Sequence, residues 1–218
     1  MKDETSHPGR ITEIRDQVRD PERVSLFIDG EFRIGLPRIA VAERNLRIGQ
    51  ILTEEDLAEL ESVDEASRAI NQTLRLLGYR PRSSSEISSR LRRNGFSEPA
   101  IQSAIERMVE YGYVDDQDFA RFWVENRQQH RPRGRRMLES ELRQRGVSPD
   151  LIDQAIDEAD IDEYGAAREL AIKQMDRYRG LEPDVWRRRM AGFLQRRGYG
   201  WNVVRQVLDE LERNDDDG

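Results

Sequence analysis

One seven-residue phrase occurs three times in this chain, and its spacing limits what the chain can fold into. Leu91-Arg92-Arg93-Asn94-Gly95-Phe96-Ser97 returns as Leu142-Arg143-Gln144-Arg145-Gly146-Val147-Ser148. It returns again as Leu194-Gln195-Arg196-Arg197-Gly198-Tyr199-Gly200, at offsets of 51 and 52 residues. Apolar positions on both sides keep step: Ile87, Leu138 and Met190 before the phrase, then Ile101, Ile152 and Val204, then Ile105, Ile156 and Leu208 after it. Such shared spacing marks tandem repeats, each a unit with too few apolar residues to stand alone. A glycine just past a helix end supplies the left-handed residue that closes the helix, so Gly95, Gly146 and Gly198 read as architecture.

The expected fold is mainly α: three tandem three-helix repeats in an elongated curved array, preceded by a small N-terminal region containing a β-hairpin. Helices are expected at 64–79, 84–94 and 98–111, at 116–130, 134–145 and 149–159, and at 162–179, 184–197 and 201–213. Ser83-Ser84-Ser85-Glu86 reads as a capping box opening one helix, and Ser97 with Pro99 opens the next. Upstream, Ile11–Val18 and Arg23–Leu36 are β-prone, and Asp29-Gly30 suits a two-residue turn. That turn pairs Phe27 with Phe32 and sets Leu26 and Ile28 on the face opposite Ile34. Either both faces are covered or the loop is longer than two residues. Pro37 ends the strand, residues 38–46 are ambiguous with a short helix as one reading, and Thr53-Glu54-Glu55-Asp56 caps a short acidic helix running to about Val63. The expected division is a disordered tail 1–9, a β-containing extension 10–63, repeats at 64–112, 113–160 and 161–213, and an acidic tail 214–218.

Of the 218 residues only 36% are hydrophobic, which fits small helical units with thin apolar faces better than one deep core. Cysteine is absent, so disulfides, thiolate metal sites and a cysteine nucleophile are excluded. No stretch approaches the roughly 18 apolar residues of a membrane span, and Met1–Arg10 lacks the apolar run of a signal peptide. The net charge of −7 is a sum of opposed blocks. Residues 53–65 and 147–163 each carry seven acids and no base, whereas 187–205 carry six arginines and no acid. Basic stripes in an acidic chain are either solvated helix faces or places where a polyanion or an acidic surface is met.

Catalytic constellations are missing. The two histidines, His7 and His130, lie in no ligand spacing, and neither a Walker-type loop nor a dinucleotide fingerprint occurs. No cofactor and no metal is expected. Asp115-Asp116-Gln117-Asp118 could suggest a metal, but acids favour a helix N-terminus and capping is the stronger reading. Phe119, Phe122 and Trp123, and likewise Trp186, Phe193 and Trp201, are expected in the core. The arginines are the functional candidates, since guanidinium suits bidentate contact with phosphate or carboxylate. Those singled out are Arg92, Arg93, Arg133, Arg135, Arg136, Arg143, Arg187, Arg188, Arg196 and Arg197, with Arg189 beside them. Stacked repeats could gather them along the second helices as one basic surface.

Residues 64–208 resemble the RecX family of bacterial regulatory proteins. The resemblance rests on Leu77-Gly78-Tyr79-Arg80-Pro81-Arg82-Ser83 with Glu86-Ile87. It rests also on Gly112-Tyr113-Val114-Asp115-Asp116-Gln117-Asp118-Phe119-Ala120 with Trp123 and Arg127, on Pro132-Arg133-Gly134 with Glu141–Gly146, and on Phe193–Tyr199. Residues 10–60 resemble the N-terminal extension of longer members. The third repeat departs from the pattern, with Gly200-Trp201 where the others have Ser-Glu and Ser-Pro. The resemblance implies a cytoplasmic, non-enzymatic regulator of RecA recombinase in DNA recombination, repair and the SOS response. It would bind RecA protein or RecA–DNA filaments, with direct DNA contact possible, and act as a monomer. A direct DNA-binding module working without RecA is the alternative.

Overall fold

The structure, a computed structural model, describes residues 9–216, with side chains to residue 213. Residues 1–8 of the expected tail 1–9, with His7, and residues 217–218 of the expected tail 214–218 lie outside the described residues. The chain divides into two compact units. One comprises the segments up to Arg80 and Ile87–Tyr113, the other Pro81–Glu86 and the chain from Val114 onward.

In the first unit an antiparallel sheet of order β3-β2-β1-β4 is built from β1 (Gly9–Gln17), β2 (Asp20–Ile28), β3 (Glu31–Pro37) and the two-residue β4 (Ile51–Leu52). Asp29 and Gly30 both take positive φ, 51° and 88°, as a tight hairpin turn requires. The loop is therefore two residues long, and Phe27 does pair with Phe32. The facing problem is solved otherwise. Leu26 pairs with Ile34, so Arg33 is an extra residue, a β-bulge that turns Ile34 inward beside Leu26. Both side chains are buried, in a core that also takes Ile11, Val24, Leu36, Leu46, Leu52, Leu57 and Leu60. The ambiguous stretch after Pro37 is in part helical, α1 (Arg38–Glu43).

Thr53 caps α2 as expected, its hydroxyl accepting from Asp56 N–H while the Asp56 carboxylate accepts from Thr53 N–H. The helix does not stop near Val63. α2 runs unbroken from Glu54 to Leu77, because no glycine or proline interrupts 54–77. Its first half covers the sheet, and its second half packs against α4 (Glu98–Glu110). Buried Asp64 sits at the changeover, paired with Arg23 of β2 and, at 2.8 Å, with Arg68. The next residue, Glu65, accepts from the backbone N–H and hydroxyl of Ser97 at 2.9 and 2.6 Å, which fixes the cap of α4.

The remaining helices fall close to their expected bounds: α3 (Ser84–Arg93), α5 (Asp116–His130), α6 (Arg135–Arg143), α7 (Pro149–Glu158), α8 (Glu163–Tyr178), α9 (Pro183–Gln195) and α10 (Trp201–Asp216). The repeated phrase forms the same turn each time. Phe96, Val147 and Tyr199 donate back to the carbonyls of Leu91, Leu142 and Leu194, and the glycines have φ of 85°, 73° and 92°. This is the Schellman closure, in which a left-handed residue lets two amides satisfy the last free carbonyls.

In the second unit a joint recurs at equivalent positions. The Ser83 hydroxyl donates to the Arg145 carbonyl at 2.6 Å, and Gly134 N–H donates to the Arg197 carbonyl at 3.0 Å. Each acceptor directly precedes a Schellman glycine. The next amide in each case is held by an acid at the first position of a following helix: Ser84 N–H by Asp116, and Arg135 N–H by Glu163. A helix start thus docks on the closing turn of the corresponding helix one repeat later. Asp115 meanwhile caps its own helix through Gln117 and Asp118 N–H.

Of the expected core aromatics, Phe119 and Phe193 are buried, and Trp123 and Trp186 pack partly buried against core clusters. Phe122 and Trp201 do not belong to the core, being 38% and 49% exposed. Phe122 lies one residue from Trp123 but off the buried stripe of Phe119, Ala120 and Val124, and Trp201 is the first residue of α10, before its buried row begins at Val204.

Two outcomes follow. A Cβ at Gly134 would stand 2.5 Å from the Gly198 backbone, so Gly134→Ala should destabilise the protein by about 1–3 kcal/mol through overpacking, read as a lower denaturation midpoint. The Ser97 bonds hold the Glu65 carboxyl below its ordinary range, so its contribution is present at pH 7 and is lost as pH falls through that lowered value. Glu65→Gln should therefore lower the melting midpoint at pH 7 by about 1–3 °C, and the deficit should shrink as pH falls below the ordinary glutamate range.

Candidate partner-binding face

The ten singled-out arginines are exposed or half-buried on or beside α3, α6 and α9, but they are not electrostatically alike. Half of them meet carboxylates of their own chain. Arg92 forms a two-pronged pair with Glu98 at 2.6 and 2.9 Å. Arg135 reaches Glu139, Asp153 and Asp157 at 3.0, 3.0 and 2.6 Å, and these bonds raise its already high pKa further. Arg143 pairs with Glu139 at 3.1 Å, and Arg133 lies 3.8 Å from Glu141. Arg187 is held by Asp209, at 2.6 Å, and by Glu212, both on α10.

Acids of α7 and α10 thus supply part of the counter-charge to these basic helices. Glu141 is a further hub, accepting from Trp123 Nε1 at 2.9 Å and Arg127 at 2.6 Å. Arg127 and Arg145 both lie over the Trp123 ring, 4.2 and 3.6 Å from its centroid. Such cation–π contacts hold α5 and the end of α6 together.

The other five, Arg93, Arg136, Arg188, Arg196 and Arg197, have no ion pair among the described residues. Arg93 donates to the Ser89 carbonyl at 3.2 Å. Arg197 lies over the Phe193 ring at 3.7 Å and donates to the Phe193 carbonyl. Arg188, Arg196 and Arg197 come together in one cleft of about 660 Å³, shared with Gln174, Arg177, Tyr178, Arg189, Gly192 and Phe193. Arg177, Tyr178 and Gln174 belong to α8, a first helix, and the sequence pattern of second-helix arginines does not reach them. The signal available was the basic last turn of α8, just before α9. Neither Arg136 nor the residues of α3 and α6 line this cleft. Among the described residues no group of acids or histidines could hold a metal ion, and no helix is long and apolar enough to cross a membrane.

Comparison with known proteins places this architecture. Models of the RecX N-terminal domain and of its first, second and third three-helix domains match residues 9–53, 69–108, 115–163 and 161–208. The chain belongs to the RecX family. The Regulatory protein RecX of Lactobacillus johnsonii is 31% identical over 203 residues, which cover 93% of this chain and 74% of that protein. That of Bacillus subtilis is 29% identical, covering 95% and 79%. That of Streptomyces coelicolor is 40% identical over 151 residues, covering 67% and 79%. Among solved structures, a crystal structure of regulatory protein RecX superposes with a TM-score of 0.77 at 22% identity, covering 92% of this chain and 99% of the other. RecX from Lactobacillus salivarius gives 0.61 at 20% identity, covering 68% and 97%. The first shares the fold over nearly the whole of this chain, the second over about two thirds of it.

The pairing pattern separates structural arginines from available ones. Arg135→Ala leaves three carboxylates facing one another and should cost about 1 kcal/mol, a figure discounted for the exposure of these side chains. Arg136→Ala on the next residue should change stability by under about 0.5 kcal/mol, and paired melting curves decide between them.

Proposed function

We propose that this RecX-family chain is a regulator without chemistry of its own, which binds RecA recombinase or its DNA filament and lowers strand exchange, ATP hydrolysis and co-protease activity. The observation that carries the reading is the match to all four RecX segments in chain order, from residue 9 to residue 208. The physical character of the surface supports it. Arginines and acids alternate in blocks along short helices, and a RecA-type filament offers both acidic protein surface and phosphate. Exposed arginines steer and position such encounters more than they add raw affinity. In this reading the protein acts as a cytoplasmic monomer, with the extension at 10–63 and the repeats at 64–112, 113–160 and 161–213 as its contact modules.

The decisive assay adds the full chain to RecA assembled on single-stranded DNA and follows ATP hydrolysis and strand exchange. Both rates should fall at sub-stoichiometric to stoichiometric protein. Unchanged rates at equimolar protein would sink the reading.

A further inference from the structure

Aromatic rings in this chain commonly carry an arginine. Guanidiniums lie over Phe27, Phe96, Tyr111, Trp123 and Phe193, at 3.6 to 5.9 Å from the ring centroids. Two rings of the third repeat differ. Tyr178 of α8 and Trp186 of α9 line one cavity of about 630 Å³, which also takes in Glu212 of α10. No cation lies over either ring among the described residues, although two arginines share the lining. The Tyr178 hydroxyl and Trp186 Nε1 likewise make no hydrogen bond among the described residues.

The rest of the lining divides into apolar and charged parts. Met175, Leu181 and Pro183 are the apolar part. Both arginines of the charged part are already engaged: Arg179 with Asp176 at 2.8 Å, and Arg187 with Asp209 at 2.6 Å and with Glu212. Asp184 is left over, with neither an ion pair nor a side-chain hydrogen bond among the described residues. An acid in the first turn of a helix is favoured by the helix dipole, which by itself would explain Asp184. Asp150 holds the same place in α7, directly after the opening Pro149, and it lies outside this cavity. Asp184 differs from it in facing a shared hollow with two rings that carry no cation.

The ligand's chemistry follows from the lining. The volume falls in the range of roughly 300–1,000 Å³ usual for small-molecule sites. Three acids against two engaged arginines turn away a phosphate or any other anion. A neutral ligand would shut water off Asp184 and put nothing in its place. An organic cation neutralises Asp184 and lies against the ring faces, where the quadrupole attracts it. A compact metal ion would leave the apolar lining unused, and a lone ammonium would reach one acid only. A chain of ammonium groups separated by methylenes meets the acids and covers Met175, Leu181 and Pro183 together, as the stem of a lysine covers apolar surface. We propose that the cavity between α8, α9 and α10 binds an aliphatic polyamine, recognised by Asp184 and by the rings of Tyr178 and Trp186. The proposal does not depend on RecA, because the site is complete within this chain.

The test is a tryptophan-fluorescence titration of the full chain with spermidine at fixed ionic strength, without recombinase or nucleic acid. The wild type should give a saturable change by millimolar spermidine. Trp186→Phe should remove that change while Trp123 and Trp201 remain in place. Asp184→Asn should weaken binding about threefold to fivefold, the size of one exposed ion pair. Asp150→Asn, which removes the matching helix-start acid of α7, should bind as the wild type does, and melting curves should show all variants folded. Magnesium, a compact dication without methylenes, should not displace spermidine at equal concentration. The proposal is overturned if the wild type shows no saturable change, or if Asp184→Asn and Asp150→Asn bind alike. It is also overturned if Trp186→Phe keeps the change, which would put spermidine elsewhere, or if magnesium competes equally, which would leave only diffuse attraction to an acidic chain. The RecA assay reads separately, so failure here leaves that reading standing.

Discussion

A hydrogen bond to one carbonyl, the one before the closing glycines Gly146 and Gly198, organises the helices of the second unit. A helix end leaves carbonyls unsatisfied, and the Schellman turn deals with two of them internally. The carbonyl of Arg145 or Arg197 then faces outward beside a glycine with no side chain to block approach. The start of another helix, which needs acceptors as a helix end needs donors, fits onto it. Ser83 does so with a hydroxyl and Gly134 with its own amide. The adjacent acids, Asp116 and Glu163, take the next amide and bring negative charge to a helix N-terminus, where the helix dipole favours it. Complementary defects of two helices thus cancel, with little demand for apolar area. That is how a chain with a hydrophobic fraction of 36% can hold together many short helices.

Charge follows the same economy. Acidic α7 and α10 neutralise arginines of α6 and α9, so the net charge of −7 hides a largely internal traffic. Exposed pairs add little stability singly. Their larger effect is selective: they remove some guanidiniums from the pool available to partners and leave others.

Much of the helical part was legible in sequence because its signals are local. A serine or aspartate before a helix and a glycine after it act through atoms a few residues away, so the ends of α3 to α9 fell within a residue or two. The errors came where the deciding atoms are distant or the rule is a matter of degree. The bulge at Arg33 carries no residue signature; it exists because Leu26 and Ile34 must share one buried face. The reading of two helices before Leu77 placed a boundary where no breaker stands. Phe122 and Trp201 look like core residues by type, but a short helix buries one stripe only. As to the arginines, position on a second helix was visible and pairing was not, since the acids that claim Arg135 and Arg187 lie about twenty residues away in sequence.

The joint has a direction: a start meets a closing turn, never a like partner. Such a head-to-tail series leaves its first turn without a visitor. At Gly146 and Gly198 the space for a side chain is filled by Ser85 and by Met137 with Gly134, whereas nothing lies within 4 Å of that space at Gly95. Three glycines that look identical in sequence therefore answer to different requirements. Gly95 is held only by its backbone angle, a condition that asparagine can also meet. Gly146 and Gly198 are held by angle and by occupied space together, and drift at those two positions is closed in a way that drift at Gly95 is not.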